Sequence, residues 1–246
     1  PARMAGARRA GAVSAPLVGC RGFAVGRERY FRELAAVEVS DTRKRLPKPD
    51  TARRWREEAP PGFAFSLVVP AAITHPPEGA PRPAEACGHF RDAPLVRRAW
   101  EAFEAVAEAV RPRWVVFETP ASFYAHAGLL KDMYAFFRAV RRGGAVFVWA
   151  AHGGGWDPKV RAKVAADLKL ELACDPLNGE VPRAGAAYIR AAGRVVDGRL
   201  SRGLSFSDSE LKALAHAAAP GAGVFLGNSD CWKDARRLRA LCEGRR

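Results

Sequence analysis

The stretch that most constrains this chain is Pro60 to His75, PPGFAFSLVVPAAITH. A Pro-Pro-Gly turn leads into a nearly unbroken apolar run from Phe63 to Val69, which breaks at Pro70 and closes on Ile73-Thr74-His75. A short apolar run bounded by turn residues reads as a strand buried on both faces. Parallel sheets covered by helices contain such strands. In α/β proteins the polar residues just past a strand are where ligands are met, which singles out His75.

Similar short runs recur along the chain. Strands are expected at Pro16–Cys20, Ala36–Val39, Trp114–Phe117, Ala145–Ala151, Leu170–Cys174, Ala186–Arg190 and Gly223–Leu226. Helical stretches fall between most of them. Asp92 with Pro94 predicts the start of a helix whose apolar face is Leu95, Ala99, Phe103, Val106 and Val110, ending at Arg111-Pro112. Leu129–Val140 carries the aromatic stripe Met133, Phe136, Phe137, which reads as core. Asp157-Pro158 opens another helix, Ser207 with Glu210 forms a capping box, and Trp232, Ala235, Leu238 and Cys242 mark a terminal helix. Residues 76–92, rich in Pro and Gly, form the longest expected loop. Eight short strands alternating with helices predict a TIM-like (β/α)₈ barrel, with irregular short helices in the first third. A doubly wound open sheet is the alternative. No Gly-rich dinucleotide motif follows the first strand, and the glycine clusters at 143–144 and 153–155 lack a P-loop lysine.

The residues closing these strands form one candidate set. In a barrel the C-terminal strand ends surround a single mouth. Glu38 and His75 are the candidate acid and base. Arg190, Asn228, Asp175, Glu118 and His152 are candidate ligand-binding groups, and Trp156 could stack on a base or sugar. Arg43 and Lys44, with Arg45, extend the site toward solvent. Each also has a structural reading: Asp175 as a turn former, Asn228 as a helix cap, Trp156 as loop packing, and Arg190 as counter-ion to Glu38 or Asp175. No local spacing among His, Cys and carboxylates predicts a metal, and no cofactor is indicated.

The net charge is +14, with 32 arginines to 8 lysines among 246 residues. This points to a polyanion or phosphate-bearing partner, although Arg, Ala, Gly and Pro together also accompany GC-rich coding. The five cysteines show no finger spacing and read as reduced thiols, with Cys20 and Cys174 as small strand residues. No apolar run approaches the ~20 residues that span a bilayer. The N-terminal residues, PARMAGARRAGAVSA, lack the apolar core of a secretory signal. The expectation is a loose basic tail over 1–15, a barrel over 16–246, and a cytoplasmic protein without membrane contact. The sequence leaves the oligomeric state open.

Beyond these readings, the chain resembles the domain of unknown function 72 (YecE-like) family, in its archaeal-type branch. The resemblance is carried by Gly19-x-x-Gly22, Val37-Glu38-Val39 with Thr42 and Pro47, Trp55 followed by Pro60-x-Gly62-Phe63-x-Phe65, and Ile73-Thr74-His75. Further pieces are Phe117-x-x-Pro120-x-Ser122-Phe123, Trp149 with Trp156, Asp175-Pro176, Tyr188-x-Arg190-x-x-Gly193, Ser207-x-x-Glu210-Leu211, and Asn228 with Asp234-Ala235. The resemblance implies a TIM-like barrel; DNA binding has been proposed for some members from fold likeness. This chain departs from the family pattern at polar positions: Arg43-Lys44 replace aromatics, Val68 a lysine, Glu118 a glutamine, and Ala150 and His152 a Glu and an Arg. Ala191-Ala192 replace Leu-His, and Leu226-Gly227 precede Asn228 where Phe-Asn is usual. Three functional readings follow: a barrel binding a nucleic acid or phosphorylated metabolite, a hydrolase or isomerase of a phosphorylated compound, and a catalytically silent interaction protein.

Overall fold

The computed structural model describes residues 15–77, 86–152, 155–179, 181–182, 184–196, 199–201, 203 and 205–244. Nearly all of the expected tail, the middle of the 76–92 loop and part of the glycine loop after His152 therefore lie outside the described residues. The strands are β1 (Leu17–Cys20), β2 (Ala36–Val39), β3 (Ala64–Val68), β4 (Trp114–Thr119), β5 (Val146–Ala151), β6 (Glu171–Leu172), β7 (Ala186–Ala191), β8 (Arg194–Val196), β9 (Arg199–Ser201) and β10 (Ala218–Leu226). The helices are α1 (Arg27–Glu33), α2 (Pro49–Glu58), α3 (Ala71–Thr74), α4 (Pro94–Val110), α5 (Ala127–Ala139), α6 (Pro158–Asp167), α7 (Asp208–Ala217) and α8 (Cys231–Glu243).

Eight strands form one parallel sheet in the order β6-β5-β4-β3-β2-β1-β10-β7. Its two edges meet. Cys174, just past β6, bridges Ile189 of β7; its N–H donates to Tyr188 O and its carbonyl accepts from Arg190 N, both at 2.9 Å. The sheet therefore closes into a TIM-like barrel, and the open doubly wound alternative is set aside. Helices follow most strands. Between β6 and β7 no helix occurs among the described residues; a turn at Asp175 takes its place. The β8–β9 hairpin is an addition that the sequence pattern did not announce.

Period-two alternation sorts most of the barrel strands into an outer and an inner face. On β3, Phe65 and Leu67 join the large core between barrel and helices, whereas Ala64 and Val68 face inward. Trp114, Tyr188 and Phe225 plug the interior, their ring centroids 5.1–5.8 Å apart. Gly223 makes room for that plug: a Cβ there would stand 2.8 Å from Phe225 Cε2 and 3.1 Å from Trp114 Cη2.

Local signals explain the helices. Asp157 accepts from the N–H groups of Lys159 and Val160 at the start of α6, and Ser207 with Glu210 completes the capping box of α7. The start of α4 differs from expectation. Ala93 occupies the cap position without a side-chain bond, and Asp92 pairs with Arg97. Its buried face is Val96, Trp100, Phe103, Val106 and Val110, so the larger indole displaces Leu95 and Ala99 to the margin. Arg111, left-handed at φ 53°, ends the helix before Pro112.

Candidate functional site at the barrel mouth

The inner-face alternation continues past the aromatic plug into charge. Two residues along from Ala36 is Glu38, two from Val116 is Glu118, two from Tyr188 is Arg190, two from Gly19 is Arg21, and two from Ala150 is His152. These five side chains converge over the plug.

Glu38 is fully buried at the centre. Its Oε1 accepts from Arg21 Nε (2.9 Å), Ser40 Oγ (2.7 Å) and Arg190 Nη2 (3.1 Å). Its Oε2 accepts from the Tyr188 hydroxyl at 2.7 Å, and that hydroxyl also lies 2.7 Å from Ser66 Oγ. Arg190 Nε stands 3.0 Å from the same Oε2, an ion-pair contact whose N–H points off the line to the oxygen. Arg190 Nη2 also donates to Glu118 Oε2 at 3.0 Å, while Arg21 Nη2 lies 3.9 Å from that oxygen. His152 Nε2 is 3.0 Å from Glu118 Oε1. Two carboxylates are thus bridged by two guanidiniums.

Burial pushes the Glu38 carboxyl up, but Arg190, Arg21 and the bonds from Ser40 and Tyr188 outweigh it and hold the group at about 2. Burial is likewise overcome at Glu118, where the bond to His152 and the Arg190 charge keep the carboxyl well below the usual carboxylate range. Burial opposes the charge of Arg190 too, yet Glu38 and Glu118 hold the guanidinium firmly protonated. Burial and the Glu38 charge raise the Tyr188 phenol well above its ordinary value.

His75 lies at the rim as the C-cap of α3. Its Nδ1 is 2.9 Å from Thr74 Oγ1. Burial, then the Arg43 charge, lower its pKa to about 4 against the pull of Glu118, with smaller lowering by His152 and His89. The imidazole is therefore neutral at physiological pH. Gly88, at φ +78°, makes this placement possible: a Cβ would fall 2.2 Å from the His75 carbonyl carbon. Next to Gly88, His89 (φ 51°) holds its Nε2 3.1 Å from Ser122 Oγ. Arg43 sits half-buried on the 3₁₀ turn Ser40–Arg43. It has no carboxylate partner among the described residues, and its Nε is shielded from solvent without a hydrogen bond. Lys44 and Arg45 are exposed beside it.

The remaining candidates do not join this cluster. Asp175 accepts from Leu177 N (3.1 Å) and Asn178 Nδ2 (2.9 Å) and thereby builds its own turn; burial raises its carboxyl against those bonds. Trp156 is buried, 4.8 Å from Trp149 between ring centroids, with Nε1 donating to Phe123 O at 2.8 Å. Asn228 donates to Asp234 Oδ2 at 2.8 Å, and the α8 cap position falls on Asp230. Asp234 also accepts from Ser205, Phe206 N and Arg237, so this is a knot joining α8 to the segment before α7. Among the described residues no three His, Cys, Asp or Glu side chains converge to hold a metal ion.

Arg21, Ser40, Ser66, Tyr188, His89 and Ser122 had not been singled out as site residues. Counting in twos from Gly19, Glu38 and Arg190 finds Arg21, Ser40 and Tyr188. His89 and Ser122 lie on loops, where no periodicity points to them.

The profile of the family described as "protein of unknown function DUF72" matches residues 25–221. The chain belongs to the DUF72 family. It is 42% identical over 48 residues to YecE of Escherichia coli, a match spanning 20% of this chain and only 18% of that relative. Over the whole fold it is similar to the DUF72 family protein of Enterococcus faecalis, at 14% identity and a TM-score of 0.67, covering 94% of this chain and 98% of the other. The DUF72 protein of Thermotoga maritima is similar to the same degree, at 15% identity and a TM-score of 0.66, covering 93% and 99%. These likenesses establish the barrel. No described helix is long and apolar enough to cross a membrane.

Proposed function

We propose that this DUF72 barrel binds a small phosphate-bearing anion at its mouth, with Arg43 and Arg21 as the cations and neutral His75 as a hydrogen-bonding group between them and solvent. The carrying observation is Arg43, a half-buried guanidinium beside His75 with no carboxylate of its own among the described residues. Arg190, the more obvious clamp from sequence, is engaged by Glu38 and Glu118. In this reading Glu38 organises the two guanidiniums and moves no proton, because four hydrogen bonds and the Arg190 ion pair saturate it.

A small anion is preferred to a nucleic acid because the helix-borne arginines are largely neutralised. Arg27 pairs with Glu58, Arg29 with Glu33, Arg53 with Asp50, Arg97 with Asp92 and Arg239 with Glu243. Titration calorimetry with inorganic phosphate, pyrophosphate and a short single-stranded DNA is the test. Pyrophosphate should bind, and Arg43→Gln should weaken it by ~1.5–3 kcal/mol, the scale of a charged hydrogen bond. Strong salt-dependent DNA binding that ignores Arg43→Gln would replace the small anion with a polyanion on another face.

A second reading, hydrolysis or isomerisation of the bound phosphate compound, draws on neutral His75 and on the His89–Ser122 pair. Loss of phosphatase activity toward p-nitrophenyl phosphate in both His75→Gln and Ser122→Ala would favour it. An inactive wild-type protein that still binds pyrophosphate leaves a binding protein.

A further inference from the structure

β1 ends on Cys20, and α8 begins on Cys231. Cys20 lies in register with Leu226, and the turn after Leu226 brings the chain back over that strand end, closed by Cys231 N donating to Asn228 O at 3.3 Å. Cys20 is fully buried, with its N–H bonded to the Tyr30 hydroxyl at 2.7 Å. Cys231 is half-buried and packs on the same cluster. Both are free thiols, α8 packs on β1, and the side-chain interaction between the two cysteines is the largest influence on the titration of each.

From this juxtaposition we propose that Cys20 and Cys231 form a hydroperoxide-reactive dithiol, with Cys231 as the attacking sulfur and Cys20 as the resolving one. The bond from Cys20 lowers the Cys231 thiol to about 7; burial opposes this, the N–H of Trp232 assists it, and the Asp234 carboxylate opposes it. The remaining thiols with a defined shift go the other way: burial raises both Cys87 and Cys174. Reaction of a cysteine needs the thiolate and access; Cys231 is the partly exposed member of the pair and the one whose thiol is lowered.

The chemistry balances. The Cys231 thiolate attacks one peroxide oxygen; the S–O bond forms, the O–O bond breaks, and the departing alkoxide (hydroxide, for hydrogen peroxide) takes the proton of Cys20. The Cys20 thiolate then attacks the sulfenic sulfur of Cys231, the S–S bond forms and the S–O bond breaks, and the departing hydroxide takes up the proton that Cys231 released on ionising, leaving as water. Two thiols and one hydroperoxide give a disulfide, an alcohol (or water) and water. The proposal is independent of what the mouth binds.

The test uses the reduced full chain with one equivalent of hydrogen peroxide, then N-ethylmaleimide under denaturing conditions and peptide mass spectrometry. A Cys20–Cys231 cross-linked peptide should appear and dithiothreitol should reverse it, while Cys87, Cys174 and Cys242 take up maleimide. In Cys20→Ala, checked by circular dichroism, Cys231 should stop at the sulfenic acid and be trapped by dimedone. Should that variant not fold, the wild-type disulfide map decides alone. Full maleimide labelling of Cys231 after peroxide, or a link between any other pair, overturns the proposal.

Discussion

Below Ser66 the barrel interior is filled by rings; above it, by charges. Trp114, Tyr188 and Phe225 occupy the lower part with Ala36, Ala64 and Gly223 making room. The upper part holds Glu38, Glu118, Arg21 and Arg190. Both regions are walled by the same strands, and Tyr188 belongs to both, its ring in the plug and its hydroxyl on Glu38. The rings gain from leaving water. The ions lose hydration and recover it only through each other, so apolar residues of similar volume would serve stability as well or better. Stability alone therefore accounts for the plug and not for the charges above it.

The comparison can be broken most forcefully at its two centres. Trp114→Ala should cost ~3–5 kcal/mol as a cavity in a packed interior. Arg190→Gln should cost about as much, ~3–5 kcal/mol, by leaving two carboxylates short of a partner. The regions then part. Adding Glu38→Gln to Arg190→Gln should restore about 1–3 kcal/mol, because the two sites are coupled, whereas no second polar change rescues Trp114→Ala. Urea unfolding of the single and double variants measures both, and strict additivity at the mouth would mean the ions are not a unit.

Tyr188→Phe tests the residue shared by both regions. The ring stays while Glu38 and Ser66 lose a partner, so the expected cost is ~1–3 kcal/mol. A change near zero would place Tyr188 with the plug alone.

Acid sharpens the contrast, since only the mouth titrates. The folded Glu38 carboxyl, at about 2 against an ordinary 4.5, contributes stability that is present above pH 4.5 and lost as pH falls toward 2. His75, at about 4 against 6.5, resists protonation in the folded state, so stability also falls as pH drops from 6.5 to 4. The unfolding midpoint should therefore decline in two successive windows, and His75→Gln should reduce the slope of the upper one only, leaving the share of His89, whose imidazole burial also lowers. A slope between pH 6.5 and 4 left unchanged by this substitution would assign the window elsewhere.

The smallest effect is expected at the rim. Reversing the exposed Lys44 and Arg45 to Glu should change stability by only ~0–1 kcal/mol per position while weakening pyrophosphate binding. Unchanged affinity would move the ligand away from this turn.

Much of this was legible in the sequence. The strand positions followed from short apolar runs, since turn residues bound each one. Glu38, Glu118 and Arg190 were recognisable because a charge at the end of a buried strand needs a partner. The pairing of Arg190 with Glu38 was one of two counter-ion readings; that Glu118 and not Asp175 is its other partner was not legible, because side-chain phase decides which strand ends face inward. Asp175, Trp156 and Asn228 sit at the mouth end of their strands, but local bonds turn them into a turn former, a packed indole and part of a knot. The C-terminal part of the α4 face, Phe103, Val106 and Val110, is as expected, while its first two positions shift by one to Val96 and Trp100, because Trp100 outweighs Ala99 in what it gains by burial. Cys20 and Cys231 lie far apart in sequence, and only the pairing of β1 with β10 and the packing of α8 on β1 bring their elements together.

That closure is uneven. Seven of the eight contacts between neighbouring strands are ladders, while the last, between β6 and β7, is the single bridge of Cys174 to Ile189, with no described helix laid over it. A ring under thermal agitation parts first at its thinnest link, and amide exchange should be fastest there. The N–H of Arg190 is one of the two bonds spanning the link. The guanidinium that balances both carboxylates is thus hung from the thinnest link of the ring, so opening there would also displace the group that balances the charge of the mouth.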